Sequence, residues 1–347
     1  RYLVAERENI VILAAKEESE TTATTSDATA NMRKAEKIGG DDRPVCLHVA
    51  AHELPLVTLR LTMPASLLDE PADLPGINHL ASQMLLKGTK KRSAAQIASD
   101  IEQIGGAYGA DAGNNTASFA IELLADDIDA ATELIAEIAH ELDVSEEELA
   151  TEKRKQLAAI HDQLDRPMSV ATMALRETLY PGTPYATTLL GTEEAIKKIT
   201  TKDIERHVRE QMLTQRTILS LAGACHDPQA VATTLKTIFA KLPSRSTEIE
   251  SVGAVPLEGE LRIERTVEKE QAVLQLAFPT IPVAHEDHLL LDILVEALSD
   301  LGSRLFVRIR EEMGLAYYVG TTQFMGKAAG YFTFYLGTDP QKREAVE

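Results

Sequence analysis

The sequence predicts an α+β fold built as two homologous domains, each a mostly antiparallel β-sheet packed against helices. Three observations predict it. Short runs of alternating apolar residues are interspersed with longer runs at helical spacing, without the regular strand–helix–strand alternation of a parallel sheet. The order of elements that begins near residue 45 starts again after a break at 243–259, where Pro, Ser, Gly and Glu replace the apolar periodicity. A chain of 347 residues, 44% of them hydrophobic, is long enough to fill two cores.

Residues 1–15, with the strand-like run at 9–14, read as the tail of a preceding folded unit, and 16–42, rich in Glu, Ser, Thr, Ala and Asp, as a flexible linker. The first domain is expected over 43–245. It opens with strands at 45–49 and 56–62 that pair across the turn His52-Glu53-Leu54-Pro55. Ile77, Leu80 and Met84 recur along one face of a helix over 76–86, and a second amphipathic helix over 93–104 stops at Gly105-Gly106. Strands around Tyr108 and at 118–123 precede a helix starting near Asp126. Another helix, opened by the capping box Ser145-x-x-Glu148, runs to about Leu164. Further helices follow Arg166-Pro167, then a strand at 217–222 and a closing helix over 227–240. After a linker at 246–259, the second domain, 260–347, offers strands at 261–266 and 273–278, helices over 285–299 and 303–313, and strands at 317–322 and 331–336. It lacks the later helices of its twin, so a C-terminally truncated domain is expected, cut with its tail from a longer protein.

A formal charge of −19 excludes a phosphate backbone or anionic membrane as partner, since both require clustered Lys and Arg. No apolar run reaches the eighteen residues of a membrane-spanning helix, so no membrane insertion is expected. Cys46 and Cys225 are too few and too far apart for a disulfide framework or a Cys-rich metal cluster. His48 and His52 stand four apart on or beside a strand without a third ligand and read as surface histidines. His285 and His288 flank Glu286-Asp287 at a helix start, where acids complement the helix dipole.

The segment from Gly76 to Thr89, GINHLASQMLLKGT, resembles the active-site helix of the insulinase/pitrilysin family of zinc peptidases, which includes the mitochondrial processing peptidases. That family carries the inverted motif His-x-x-Glu-His, two imidazoles for one zinc with a Glu that polarises the attacking water. Here the motif reads His79-Leu80-Ala81-Ser82-Gln83. The third ligand of the family, a Glu on a later helix, falls on Ala159 within the matching stretch Glu152 to Pro167. The resemblance therefore implies a dismantled site: no metal and no catalytic residue in this chain, with His79 structural. A second stretch, GSRLFVRIREEMGLAYY from Gly302 to Tyr318, closed by Gly337-Thr338-Asp339-Pro340, resembles the C-terminal region of the same family. By matching position, Arg310 and Tyr317 are the pair that reaches substrate backbone and the tetrahedral intermediate at the partner's zinc. A guanidinium fork and a phenol are donors suited to a developing oxyanion. The competing reading pairs Arg310 with Glu311 or Glu312 and buries Tyr317. The family's glycine-rich loop before Ser-Arg-Leu-Phe is nearly stripped of glycine here, in Leu298-Ser299-Asp300-Leu301-Gly302.

The resemblance implies the non-catalytic half of a two-half zinc metalloendopeptidase, inactive alone. Its implied partners are a catalytic half with the intact His-x-x-Glu-His motif and zinc, in the same polypeptide or a separate subunit, and peptide substrates. The alternative is a structural or assembly subunit of the same fold with no part in proteolysis.

Overall fold

The computed structural model describes residues 33–244 and 261–346. The tail expected over 1–15 and the linker expected over 246–259 lie outside them. Six strands form the first sheet: β1 (Glu36–Ile38), β2 (Cys46–Ala50), β3 (Leu56–Met63), β4 (Ala107–Ala112), β5 (Ala117–Leu124) and β6 (Ile218–Gly223), in the order β1-β2-β6-β3-β5-β4. All neighbours are antiparallel except β2 and β6.

Two expectations are corrected here. The linker does not extend to residue 42, because Glu36–Ile38 pairs with Cys46–His48 and buries Ile38. Nor do β2 and β3 form a pair: β6 lies between them, parallel to one and antiparallel to the other. The five residues that join β2 to β3 are enough to step across one intervening strand, two strand spacings or about 10 Å. β6, buried at alternate positions through Leu219, Leu221 and Gly223, takes the central place.

The helices of this part of the chain are α1 (Ile77–Met84), α2 (Ala94–Gln103), α3 (Ile128–Glu141), α4 (Glu146–Leu164), α5 (Pro167–Leu179), α6 (Glu193–Lys198), α7 (Thr201–His207) and α8 (Pro228–Phe239), of which α1, α2, α3 and α8 pack directly on strands of this sheet. Their starts are written locally. Ser93 and Gln96 form a reciprocal capping box on α2, Ser145 Oγ accepts from the Glu148 N–H on α4, and Asp227 accepts from Ala230 N–H on α8. Val57, Leu59, Leu61 and Met63 of β3 meet Ile77, Leu80 and Met84 of α1 in the main core.

The second sheet has three antiparallel strands, β7 (Ala272–Thr280), β8 (Tyr318–Met325) and β9 (Gly330–Thr338), in the order β7-β9-β8. Between β7 and β8 lie α9 (His288–Ser299) and α10 (Arg304–Phe306), which continues as a π-helix over Val307–Glu312. This order repeats β3-β5-β4 with α1 and α2 between β3 and β4, so the second domain restates the opening of the first. The strand expected at 261–266 is a correction: 261–271 carry no regular structure, and β7 has no strand on its outer side among the described residues. Burial also differs. Six of the eight residues of α1 are buried, whereas α9, with Leu289, Leu290, Ile293 and Leu294 exposed, buries none.

The two sheets meet along α5 and the β8–β9 turn. Gln275 Nε2 on β7 donates to Thr172 Oγ1 at 2.9 Å. The turn closes on Tyr185, whose hydroxyl accepts from Ala328 N–H at 3.1 Å. Gly326 permits the approach, since a Cβ there would come within 2.5 Å of that hydroxyl.

Candidate functional site

α1 is the helix on which the sequence places the zinc motif, and its position is over-determined. Gly76, at φ 91°, enters the helix against the backbone of Leu190, where a Cβ would lie 2.5 Å from the carbonyl oxygen. The Glu70 carboxylate, 8% exposed, accepts both Gly76 N–H and Asn78 N–H at 2.9 Å and so satisfies two of the first-turn donors. Burial pushes the Glu70 carboxyl up to about 7, against these two hydrogen bonds. Asn78 Nδ2 donates to Ser66 O at 2.8 Å, its Oδ1 meets His207 Nε2 at 2.6 Å, and Gln156 Nε2 donates to Gly76 O at 3.0 Å.

The motif side chains are engaged in this frame. Ser82 is fully buried, and its Oγ donates to His79 O at 2.7 Å. Gln83 Nε2 donates to Ala110 O on β4 at 3.0 Å. His79 is half-buried; burial holds its imidazole below the ordinary histidine value, with Glu152 acting in the opposite sense. Ala159 lies on α4, which packs against α1, so the structure brings together the elements that carry all four positions. Glu152, on the same helix and 5% exposed, is bridged by Lys87 Nζ at 2.8 Å and Lys155 Nζ at 2.7 Å. Burial raises its carboxyl, and the two ammoniums outweigh that and leave it below the usual range.

This donor set does not fit zinc. Zinc sites use imidazole, thiolate and carboxylate in tetrahedral sets. The four positions offer one imidazole, a hydroxyl and an amide both spent on backbone carbonyls, and a methyl. Among the described residues no group of three or more His, Cys, Asp and Glu side chains is placed to hold a metal ion. His48 is a correction to the surface reading, being 9% exposed with Nε2 buried and unpaired, while His52 is exposed. At the start of α9, Asp287 N–H donates to His285 Nδ1 at 3.1 Å.

Arg310 and Tyr317 lie in the second domain, on the π-helical segment after α10 and just before β8. Neither follows the competing expectation. The Arg310 guanidinium carbon stands 4.7 Å from the Phe306 ring centroid, and among the described residues it makes no ion pair; Glu312 pairs with Arg308 instead. Tyr317 is 58% exposed and is held by its backbone, whose N–H donates to Gly337 O at 2.8 Å.

Two family models match the chain. Residues 48–193 match the one described as Insulinase (Peptidase family M16), and residues 198–347 the one described as Peptidase M16 inactive domain. The chain belongs to the insulinase (M16) peptidase family. A relative from Rickettsia felis, named an uncharacterized zinc protease, is 27% identical over 279 residues, covering 80% of this chain and 67% of that protein. One from Bacillus subtilis with the same description is also 27% identical, over 78% of this chain and 65% of its own length. The chain thus spans about two thirds of these relatives. A probable mitochondrial-processing peptidase subunit beta from Arabidopsis thaliana is 25% identical over 51% of this chain and 33% of its own. The M16 fold is also seen in solved structures. An M16 inactive domain from Pseudomonas fluorescens has a TM-score of 0.79 at 24% identity, covering 90% of this chain and 76% of that one. A Helicobacter pylori protease has a TM-score of 0.81 at 20% identity, covering 91% and 78%. The M16 models divide the chain between 193 and 198, so β6 falls in the second match although it is central to the first sheet.

Sequence reasoning missed Glu70, the Asn78–His207 pair and the buried Glu152 bridge. Asn78 beside His79 was the one visible signal; an acid in a loop carries none.

Proposed function

We propose that this chain is the non-catalytic half of a two-half zinc metalloendopeptidase, working with a catalytic half that carries the intact His-x-x-Glu-His motif and its zinc. The reading rests on one observation: the motif helix keeps its frame while its functional positions hold His79, Ser82 and Gln83, the last two tied to backbone carbonyls, and the helix packed against it carries Ala159. The zinc-protease names of its relatives support the activity of the whole. This half forms part of the substrate chamber, through two domains expected over 43–245 and 260–347 with β1 added to the first. It presents Arg310 and Tyr317 to substrate carbonyl or oxyanion. Both side chains are exposed, and Arg310 is held by a ring rather than by an acid, so its donors remain available for a carbonyl.

Zinc stoichiometry by elemental mass spectrometry, after zinc loading and dialysis, tests the first part. Near-zero metal is expected, and one zinc per chain lost on His79→Ala would overturn it. Arg310→Ala, assayed with the catalytic half, tests the second. The expected loss is about 2 to 4 kcal/mol of transition-state stabilisation, roughly 30- to 1,000-fold in kcat/KM. An unchanged rate would leave this half a purely structural or assembly role.

A further inference from the structure

The seam between the two sheets buries a guanidinium that the proposed function does not use. Arg176, on α5, is 6% exposed. Its Nε donates to Tyr185 O at 2.8 Å, and its guanidinium carbon lies 4.8 Å from the centroid of Phe324, which β8 brings from the second domain. The rings of Tyr180, Tyr185, Phe324 and Tyr331 form one contiguous cluster, with Tyr180–Tyr185 centroids 5.6 Å apart, Tyr185–Phe324 5.1 Å and Phe324–Tyr331 5.4 Å.

Burial holds the Arg176 guanidinium below the ordinary arginine value, and among the described residues no carboxylate forms an ion pair with it. Arg176 Nη2 and Tyr180 Oη are both buried without a hydrogen-bond partner, and Tyr180 is wholly enclosed. Tyr185 Oη is already engaged by Ala328 N–H. A guanidinium only donates, so Nη2 carries part of a full positive charge to no acceptor, and the Tyr180 hydroxyl, able both to donate and to accept, has no partner either. A water molecule would satisfy the hydrogen bonds and leave the charge uncompensated, whereas buried charges are retained where they are paired. Phenyl walls favour a small, weakly hydrated ion over a multiply charged one, whose desolvation they cannot repay.

We propose that a monovalent anion of halide size, chloride under ordinary salt conditions, binds between Arg176 Nη2 and Tyr180 Oη and fastens the β8–β9 hairpin to the first domain. Binding to the folded state alone raises the unfolding midpoint with anion concentration. Thermal unfolding is therefore compared at matched ionic strength in sodium chloride, sodium bromide and sodium gluconate, the last too large to enter the seam. At roughly ten times the dissociation constant the two halides should raise the midpoint above that in gluconate by about 2 to 4 °C. Tyr180→Phe removes only the hydroxyl and should shrink this difference by half or more; Arg176→Met should abolish it. In crystals grown in sodium bromide, anomalous scattering should place a peak beside Arg176 Nη2. Coincident wild-type midpoints in the three salts overturn the proposal, as does water at that position in the bromide crystals. A halide response that Tyr180→Phe leaves intact places the anion elsewhere and equally overturns the assignment.

Discussion

Glu70 makes the stability of the first domain depend on pH, in the sense opposite to an ordinary surface carboxylate. Burial at the start of α1 raises its carboxyl from 4.5 to about 7. Between these values the folded chain holds a proton that the unfolded chain has released, so folding stability falls as pH rises through this window. Below pH 4.5 both states are protonated; above about 7 both are ionised, and the full cost is present, on the order of 3 kcal/mol. Glu70→Gln removes the charge and keeps the shape. One amide oxygen can still accept from Gly76 or Asn78, while the amide nitrogen faces the other N–H and leaves it unpaired, at a cost of about 1 to 3 kcal/mol. Urea unfolding of both proteins across pH 4 to 8 isolates the residue, because every other titrating group cancels in the difference. The wild type should lose on the order of 3 kcal/mol relative to the variant on going from pH 4.5 to 7.5. A difference that stays flat, or one that grows in favour of the wild type as pH rises, would refute the reasoning.

The remaining predictions concern the same frame and the exposed arginine. Gly191→Ala, with φ at +70° and a Cβ that would overlap Pro75 O, should cost on the order of 3 kcal/mol or more in urea unfolding. Gly40→Ala, at φ +85° with open space around it, should cost only about 1 to 2 kcal/mol in the same assay. Asn78→Ala strips partners from Ser66 O and the buried His207 and should destabilise by about 2 to 4 kcal/mol, read from the same unfolding curves. Arg310→Ala should leave folding stability within about 0.5 kcal/mol in isolation, separating its proposed kinetic role from any structural one.

Much of this architecture was legible because its signals are local. Ile77, Leu80 and Met84 mark α1 by period, Ser93 and Ser145 mark helix starts by their side-chain chemistry, and the alternation in β3 survives as Val57, Leu59, Leu61 and Met63, all buried. Strand partnership is not local, and so β6 was not seen between β2 and β3. The strand Glu36–Ile38 hides in a polar stretch because only Ile38 turns inward. At the site, resemblance identified the motif positions, yet nothing in the sequence told that Ser82 and Gln83 would be bound to His79 O and Ala110 O. Glu70 was invisible for the same reason: a carboxylate in a loop reads as solvated until the chain folds it over the first turn of α1.

The place of β6 has a consequence for how the chain is made. All of residues 64–217 separate it from the end of β3, yet it pairs with both β2 and β3. During synthesis β3 can meet β5 early, while its other edge, and the whole of β2 apart from its three-residue pairing with β1, waits for Ile218–Gly223 to emerge. Pairings of such separation are slow to close and leave apolar strand edges open in the meantime. A cut between 193 and 198, where the two M16 sequence matches divide, would remove the strand that joins the sheet's halves; a minimal first domain must extend past α8.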